Sequence, residues 1–228
     1  MTTGARDGRE RPRAAMILAA GRGERMRPLT DTVPKPLLRV RGQPLIERHV
    51  IGLKRAGIDR IVINLAWLGA QIREYLGDGA RYGVTIAYSE ESPRALETAG
   101  GIFRALPGLS PGPFAVVNGD IYTDFPFETL GVGRDGDAHL VLAPNPPQHA
   151  LGDFGLEGAM AVAAAAERFT FSGIAVYRTA FFAGCVDGVF PLKPLLLRSM
   201  AAHRCTAELF MGVWEDVGTP ERLQALND

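Results

Sequence analysis

Cysteine is nearly missing from this chain. Cys185 and Cys205 are the only two in 228 residues, too few for a disulfide framework, and nothing near them has zinc-ligand spacing. They read as reduced thiols of a cytoplasmic protein. An excess of either charge is missing too: 25 Lys and Arg stand against 25 Asp and Glu. No global field therefore draws in nucleic acid or an anionic membrane, and any bound anion must be held by a local site. No apolar run is long enough to span a bilayer, because each is broken by Gly or charge. Met1 to Arg13 lacks the apolar stretch a signal peptide needs, so residues 1–13 are expected to be a disordered leader on a soluble protein. Histidine is scarce. His49, His139, His149 and His203 are scattered, no Ser/His/Asp or Cys/His constellation stands out, and all four are expected to be structural or surface residues.

What is present is core material, 46% hydrophobic residues, enough for one domain over residues 14–228. The continuous apolar run Ala14 to Ala19 ends at Gly21 and reads as a strand buried on both faces, the kind found in parallel sheets. A helix is expected from Gln43, with Pro44 in its first turn and Ile46, Val50 and Leu53 along one face. Strands at Ile61–Leu65, Val84–Tyr88 and Phe114–Val117 alternate with helices at Leu68–Leu76 and Glu97–Leu106. The unit length of roughly thirty residues is that of βαβ crossovers. The second half changes character. Strands are expected at His139–Leu142, from Asp153 to about Ala165, at Thr170–Tyr177 and at Glu208–Trp214, with helices at Leu192–His203 and from Thr219-Pro220-Glu221. The expected fold is α/β: a doubly wound, mostly parallel Rossmann-like sheet whose second half is mixed and partly antiparallel.

Chemistry concentrates in Leu18 to Leu37. Gly21 and Gly23 follow a buried strand, where backbone N–H groups can converge on phosphate oxygens. Around them lie Arg22, Arg25 and Arg27, and then Pro34-Lys35-Pro36, whose prolines restrict the backbone around one cation. A dinucleotide fingerprint would need a third glycine where Met26 stands; the Gly-Lys-Ser/Thr of a P-loop is absent. Asn118-Gly119-Asp120 follows a buried strand at its carboxyl end, where open α/β sheets gather ligands. Trp214-Glu215-Asp216 carries a second carboxylate between a strand and a helix. Two carboxylates with phosphate oxygens and water suit Mg²⁺.

Leu18 to Leu37 resembles the signature of the sugar-phosphate nucleotidyltransferase family, a strand followed by a G-x-G-x-R loop and a downstream P-K-P, and the likeness extends over nearly all of Ala14 to Leu226. The resemblance implies the nucleotide-diphospho-sugar transferase fold, with residues 14–124 as the nucleotide-binding half and 125–228 as the sugar-phosphate-binding half. It implies an NTP bound by Ala20, Gly21, Gly23, Glu24, Arg25, Lys35, Glu97 and Asn118. Arg25 and Lys35 would act on the phosphates, and Asp120 and Asp216 would hold Mg²⁺. A sugar 1-phosphate is largely dianionic at neutral pH, with a second pKa of about 6, so the transfer needs no general base. Positioning and charge neutralisation would supply the catalysis.

Glu90-Glu91 to Gly101 falls where the family reads the base; acidic residues there lean against CTP. The order of the sugar-side segments is most similar to bacterial N-acetylmuramate 1-phosphate uridylyltransferases of cell-wall recycling. That likeness implies UTP as donor and sugar contacts from Asn145, Asp153, Ser172 and Gly173, while Trp214 reads as core. Guanylyl, thymidylyl or uridylyl transfer to mannose or glucose 1-phosphate stays open, as does a nucleotide-sensing homologue without turnover. Many relatives place a Glu-Lys-Pro before the sugar-binding strand. Here Ala163 to Phe169 stands instead, and either Arg168 substitutes for that lysine or the contact is missing. The expected working form is a monomer or small homo-oligomer.

Overall fold

The run Ala14–Leu18 (β1) is apolar throughout because both of its faces are covered. In the computed structural model, which describes residues 8–91, 95–109 and 111–228, β1 lies inside a nine-stranded sheet. Arg39–Val40 (β2) and Gln43–Pro44 (β3) form a two-residue ladder before helix α1, Leu45–Arg55. There follow β4 (Arg60–Leu65), α2 (Gly69–Leu76), β5 (Thr85–Glu90), α3 (Glu97–Leu109) and β6 (Phe114–Asn118). The second half adds β7 (Ile121–Thr123), β8 (Ala138–Ala143), β9 (Gly155–Glu157), β10 (Met160–Val162) and β11 (Thr170–Tyr177). It closes with α4 (Lys193–Ala201), β12 (Cys205–Leu209), β13 (Trp214–Asp216) and α5 (Pro220–Ala225).

The sheet order is β5-β4-β1-β6-β11-β8-β12-β10-β9. β5, β4, β1 and β6 are parallel; β11 then runs antiparallel to both β6 and β8, and β12 is parallel to β8. This is the expected α/β architecture with a mixed second half. Alternation along β1 assigns its side chains to two cores. Ala15 and Ile17 pack with Val50 and Leu53 of α1 and Ile72 of α2. Ala14 and Met16 pack with Ile102 and Ala105 of α3 and Leu196 and Met200 of α4. A third, smaller cluster joins Met26, Leu38, Val40 and Leu45 to Val217, with Leu223 and Leu226 against it. Met26, which takes the place of a fingerprint glycine, is a fully buried plug.

Several boundaries differ from expectation. The first helix begins at Leu45 because Gln43 and Pro44 pair with the strand before it. α3 continues through Pro107 to Leu109, where Leu109 is buried in the second core. The segment from Asp153 is a tight hairpin, β9 with β10. The single strand expected at Glu208–Trp214 is two strands in two sheets, since Asp124 accepts the Val213 N–H at 2.7 Å and draws the chain across to β7. Residues 1–7 of the expected leader lie outside the described residues. Glu10, by contrast, pairs with Val132 through N–H···O bonds of 2.9 and 3.0 Å and meets Arg178 at 2.8 Å. Those backbone and ionic contacts tie residues 8–13 to the fold.

Two outcomes follow. At Gly173 the backbone has φ 80° in a register shift of β11 against β8, and an added Cβ would stand 2.4 Å from Asn118 Nδ2. Gly173→Ala should cost about 1–3 kcal/mol in a denaturant titration, the usual cost of a strained backbone; an unchanged midpoint would refute this. Burial drives the His49 imidazole down from 6.5 to about 4, against a hydrogen bond with the Ile121 backbone. The unfolded chain thus takes up a proton near pH 6.5 that the folded chain refuses until about pH 4, so stability present above pH 6.5 drains away as pH falls through that window. Each tenfold difference in proton affinity between the two states is worth about 1.4 kcal/mol, and melting curves of His49→Leu should show a shallower decline over the same window.

Candidate active site

Ligand-binding geometry begins where β1 and β6 end side by side. β1 is followed by the glycine-rich loop and β6 by Gly119, whose N–H donates to Leu18 O at 2.9 Å. Crossovers leave β1 toward β4 on one side while β6 lies on the other, the switch point at which open α/β sheets bind ligands. Pro34 and Pro36 set Lys35 into one turn of 3₁₀ helix, with Leu37 N–H on Pro34 O at 2.8 Å. The Lys35 side chain is 9% exposed, and its Nζ lies 2.5 Å from Asp120 Oδ2 and 3.8 Å from Asp216 Oδ1.

Asp120 and Asp216 are far apart in sequence and meet through the β7–β13 ladder, which pairs Asp216 with Ile121. Val217 N–H donates to Asp120 O at 3.1 Å, and the burial of Val217 in the third cluster fixes this arrangement. Among the described residues no group of three or more His, Cys, Asp or Glu gathers as a metal site. Two carboxylates fit a hard divalent cation that takes its other ligands from phosphate and water. The Lys35 ammonium already stands between them, so the position favours positive charge.

The loop arginines have separate fates. Arg22 lies 3.8 Å over the Trp67 ring, donates to Thr30 O at 2.8 Å and pairs with Asp31 at 2.7 Å. Arg27 pairs with Asp31 at 3.1 Å, and the Arg22 hydrogen bond holds the Asp31 carboxyl below its ordinary range. Arg25 is 69% exposed and has Asp216 Oδ2 at 3.9 Å. It is therefore the loop arginine left with room to meet an incoming anion. Sequence reasoning missed Arg222, which donates to Asp216 Oδ2 at 3.0 Å and to its backbone oxygen at 2.7 Å. One signal was present: a cation in the first turn of α5 opposes the helix dipole and so needs an acid elsewhere.

Two cavities meet at Asn118 and Asp120. One, of about 250 Å³, is lined by Ala20, Gly21, Lys35, Glu97 and Asn118 among others. The second, of about 310 Å³, takes in Arg25, His149, Ser172, Trp214 and Asp216. Of the other expected nucleotide contacts, Gly23 accepts the Thr30 hydroxyl at 2.8 Å, and Glu24 is exposed in the following turn. Residues 92–94 of the expected base-reading stretch lie outside the described residues.

Of the four expected sugar residues, Ser172 lines the second cavity while Asn145, Asp153 and Gly173 do not, and most of their polar atoms are already engaged. Asn145 donates to Arg168 O at 2.8 Å and Ala150 O at 3.2 Å and accepts from Thr170 at 2.9 Å. Ser172 is buried and donates to Val141 O at 2.7 Å. Asp153 accepts the Phe171 N–H at 2.8 Å and has His149 Nε2 at 3.1 Å. Asn145 and Asp153 thus tie down the lining residues Thr170, Phe171 and His149, and Gly173 packs against Asn118. Trp214 packs on the first core and donates to Ser172 O at 2.8 Å, while its ring also borders the cavity. Arg168 borders a separate polar recess with Asn145. His149, expected to be a structural or surface residue, lines the second cavity.

Comparison with known proteins shows the family. A family model described as nucleotidyl transferase covers residues 14–156, which include Arg25, Lys35 and Asp120. An N-acetylmuramate alpha-1-phosphate uridylyltransferase from Neisseria meningitidis serogroup B is 51% identical over 92% of this chain and 95% of its own length. A protein of the same description from Caulobacter vibrioides is 33% identical over 92% and 93%. A solved structure from Bacillus anthracis, assigned as a glucose-1-phosphate thymidylyltransferase, superposes with a TM-score of 0.81 over 94% of both chains at 21% identity, which speaks to the fold alone. No described helix is long and apolar enough to cross a membrane. On the family match and on relatives aligned nearly end to end, this chain belongs to the nucleotidyl transferase family, whose members here are sugar-phosphate nucleotidyltransferases.

Proposed function

We propose that the chain transfers the uridylyl group of UTP to N-acetylmuramate 1-phosphate, giving UDP-N-acetylmuramate and pyrophosphate. The observation that carries this reading is Lys35, held between Asp120 and Asp216 where the two cavities meet. The choice of sugar and base rests on the relative that is 51% identical over most of the chain. In this reading residues 14–124 form the nucleotide half and 125–228 the sugar-phosphate half of one domain. The reaction belongs to peptidoglycan recycling in the cytoplasm, and the working form is a monomer or small homo-oligomer.

A phosphate oxygen of the sugar 1-phosphate forms a bond to the α-phosphorus of UTP, and the bond from that phosphorus to the bridging oxygen of pyrophosphate breaks. The nucleophile arrives as a dianion, so no side chain has to remove a proton. Ala20, Gly21 and Gly23 lie where backbone N–H groups approach the phosphates. Arg25, free of the ties that hold Arg22 and Arg27, and Lys35, which exchanges carboxylate for phosphate, neutralise the charge that builds up in the transition state. The family generally uses a divalent metal; Mg²⁺ is the ion proposed here, with Asp120 and Asp216 as its protein ligands. When bound it supplies further charge neutralisation on the phosphates. Glu97 and Asn118 border the nucleotide, Ser172 lines the sugar cavity, and Asn145, Asp153 and Gly173 support the residues that line it.

Purified protein with UTP, Mg²⁺ and N-acetylmuramate 1-phosphate should release pyrophosphate in a coupled phosphate assay. Silence there, with turnover of glucose or mannose 1-phosphate or of another NTP, would keep the class and overturn the substrates. Asp120→Asn should abolish turnover and Lys35→Ala should lower it about 100-fold or more, the scale of one lost transition-state contact. Wild-type rates in either variant would remove these residues from their roles.

A further inference from the structure

Along the wall of the first cavity, which Asn64 and Glu91 help to line, runs a largely buried polar chain that the transfer chemistry does not use. Asn64, on β4, is 4% exposed, and Glu91, just past β5, is 2% exposed. Ala19 N–H donates to Asn64 Oδ1 at 2.7 Å, Asn64 Nδ2 donates to Glu91 Oε1 at 2.7 Å, and Leu96 N–H donates to Glu91 Oε2 at 2.8 Å. Glu91 is itself anchored through its N–H to Leu65 O at 2.8 Å. One amide and one carboxyl group thus connect the end of β1, where the glycine loop starts, to the corner that opens α3. The approach is close: a Cβ on Gly101 of α3 would stand 2.3 Å from Glu91 Oε1.

That corner is not relaxed backbone. Glu97, the residue after Leu96, has φ 57°, a left-handed conformation that costs a non-glycine residue free energy and persists only where its surroundings enforce it. The Glu91 bond to Leu96 N–H is such an enforcement, and Glu97 lines the same cavity as Ala20, Gly21 and Lys35.

We infer that Asn64 and Glu91 are a positioning pair, holding the start of the phosphate loop and the Leu96–Glu97 corner at a fixed separation so that the cavity between them fits a nucleotide. This rests on the reading of that cavity as the nucleotide side. The logic of the pair lies in its donor count. Backbone N–H groups close both ends of the chain, so the four side-chain atoms between them must comprise three acceptors and one donor. Asn64 with Glu91 meets this condition. Glu91→Gln brings two amide donors and sets donor against donor. Asn64→Asp brings none and sets carboxylate against carboxylate. The double variant Asn64→Asp with Glu91→Gln reverses the roles, keeps the net charge and satisfies every bond again.

The test is calorimetric titration of UTP, GTP, CTP and dTTP, with Mg²⁺, into the wild-type chain, followed by titration of the bound nucleotide into the two single variants and the double variant, with melting curves alongside. Each single variant should bind that nucleotide about tenfold or more weakly, the scale of one buried group left unpaired. The double variant should return to within a few-fold of wild type, a coupling that independent sites do not show. Single variants that fail to fold, beside a double variant that folds and binds, would support the pair equally. Wild-type affinity in either single variant, a lowered melting temperature with affinity unchanged, or a double variant no better than the singles would overturn it. A wild type that binds GTP or dTTP but not UTP would displace the uridylyl reading and leave the pair standing; a wild type that binds no nucleotide would overturn both.

Discussion

One ammonium group between two carboxylates organises the reactive end of this molecule. Lys35, Asp120 and Asp216 come from the start, the middle and the end of the chain, and each depends on a different part of the fold to arrive. Lys35 is placed by the prolines that flank it, Asp120 by the carboxyl end of a central strand, and Asp216 by a short ladder pinned through Val217. Leaving one charge of such a partly buried set without its partner costs far more than the set contributes net. The C-terminal segment therefore has reason to stay docked over the loop.

The same economy appears among the arginines. Three occupy one loop, yet Arg22 and Arg27 are engaged with Trp67, Thr30 and Asp31. Those contacts stiffen the loop and leave Arg25 as its exposed cation. The second cavity is built in the opposite way: Ser172 in its lining is already satisfied, and Asn145 and Asp153 hold the lining residues Thr170, Phe171 and His149. His149 and Trp214 line the cavity beside them.

Much of the architecture was legible from local pattern. Runs such as Ala14–Leu18, and Ile61–Leu65 apart from Asn64, are apolar because a sheet covered on both sides has no solvent face, and glycine with proline punctuates them. Boundaries set by long-range pairing were not legible. Nothing between Glu208 and Trp214 announces that the chain leaves one sheet for another, since the cause is the Asp124 side chain, remote in sequence. Glu10 and its partner Val132 are as widely separated, and no periodicity in an arginine-rich start reveals a strand bridge. Arg222 escaped notice because its acid partner lies on the preceding strand and reaches it only once the helix turns back.

The amino-acid order by itself determined the βαβ plan, the phosphate-loop signature, the pre-set Lys35 and the two candidate carboxylates, because each is encoded within a few consecutive residues whose backbone preferences are local. The tertiary structure alone decided that those carboxylates share one cation, that Arg25 is left as the exposed loop arginine, and that Asn64 reaches Glu91 in the wall of the first cavity. These are distances between segments separated by tens of residues. Packing of the sheet and of the small cluster around Val217 fixes them, and no local rule contains that information.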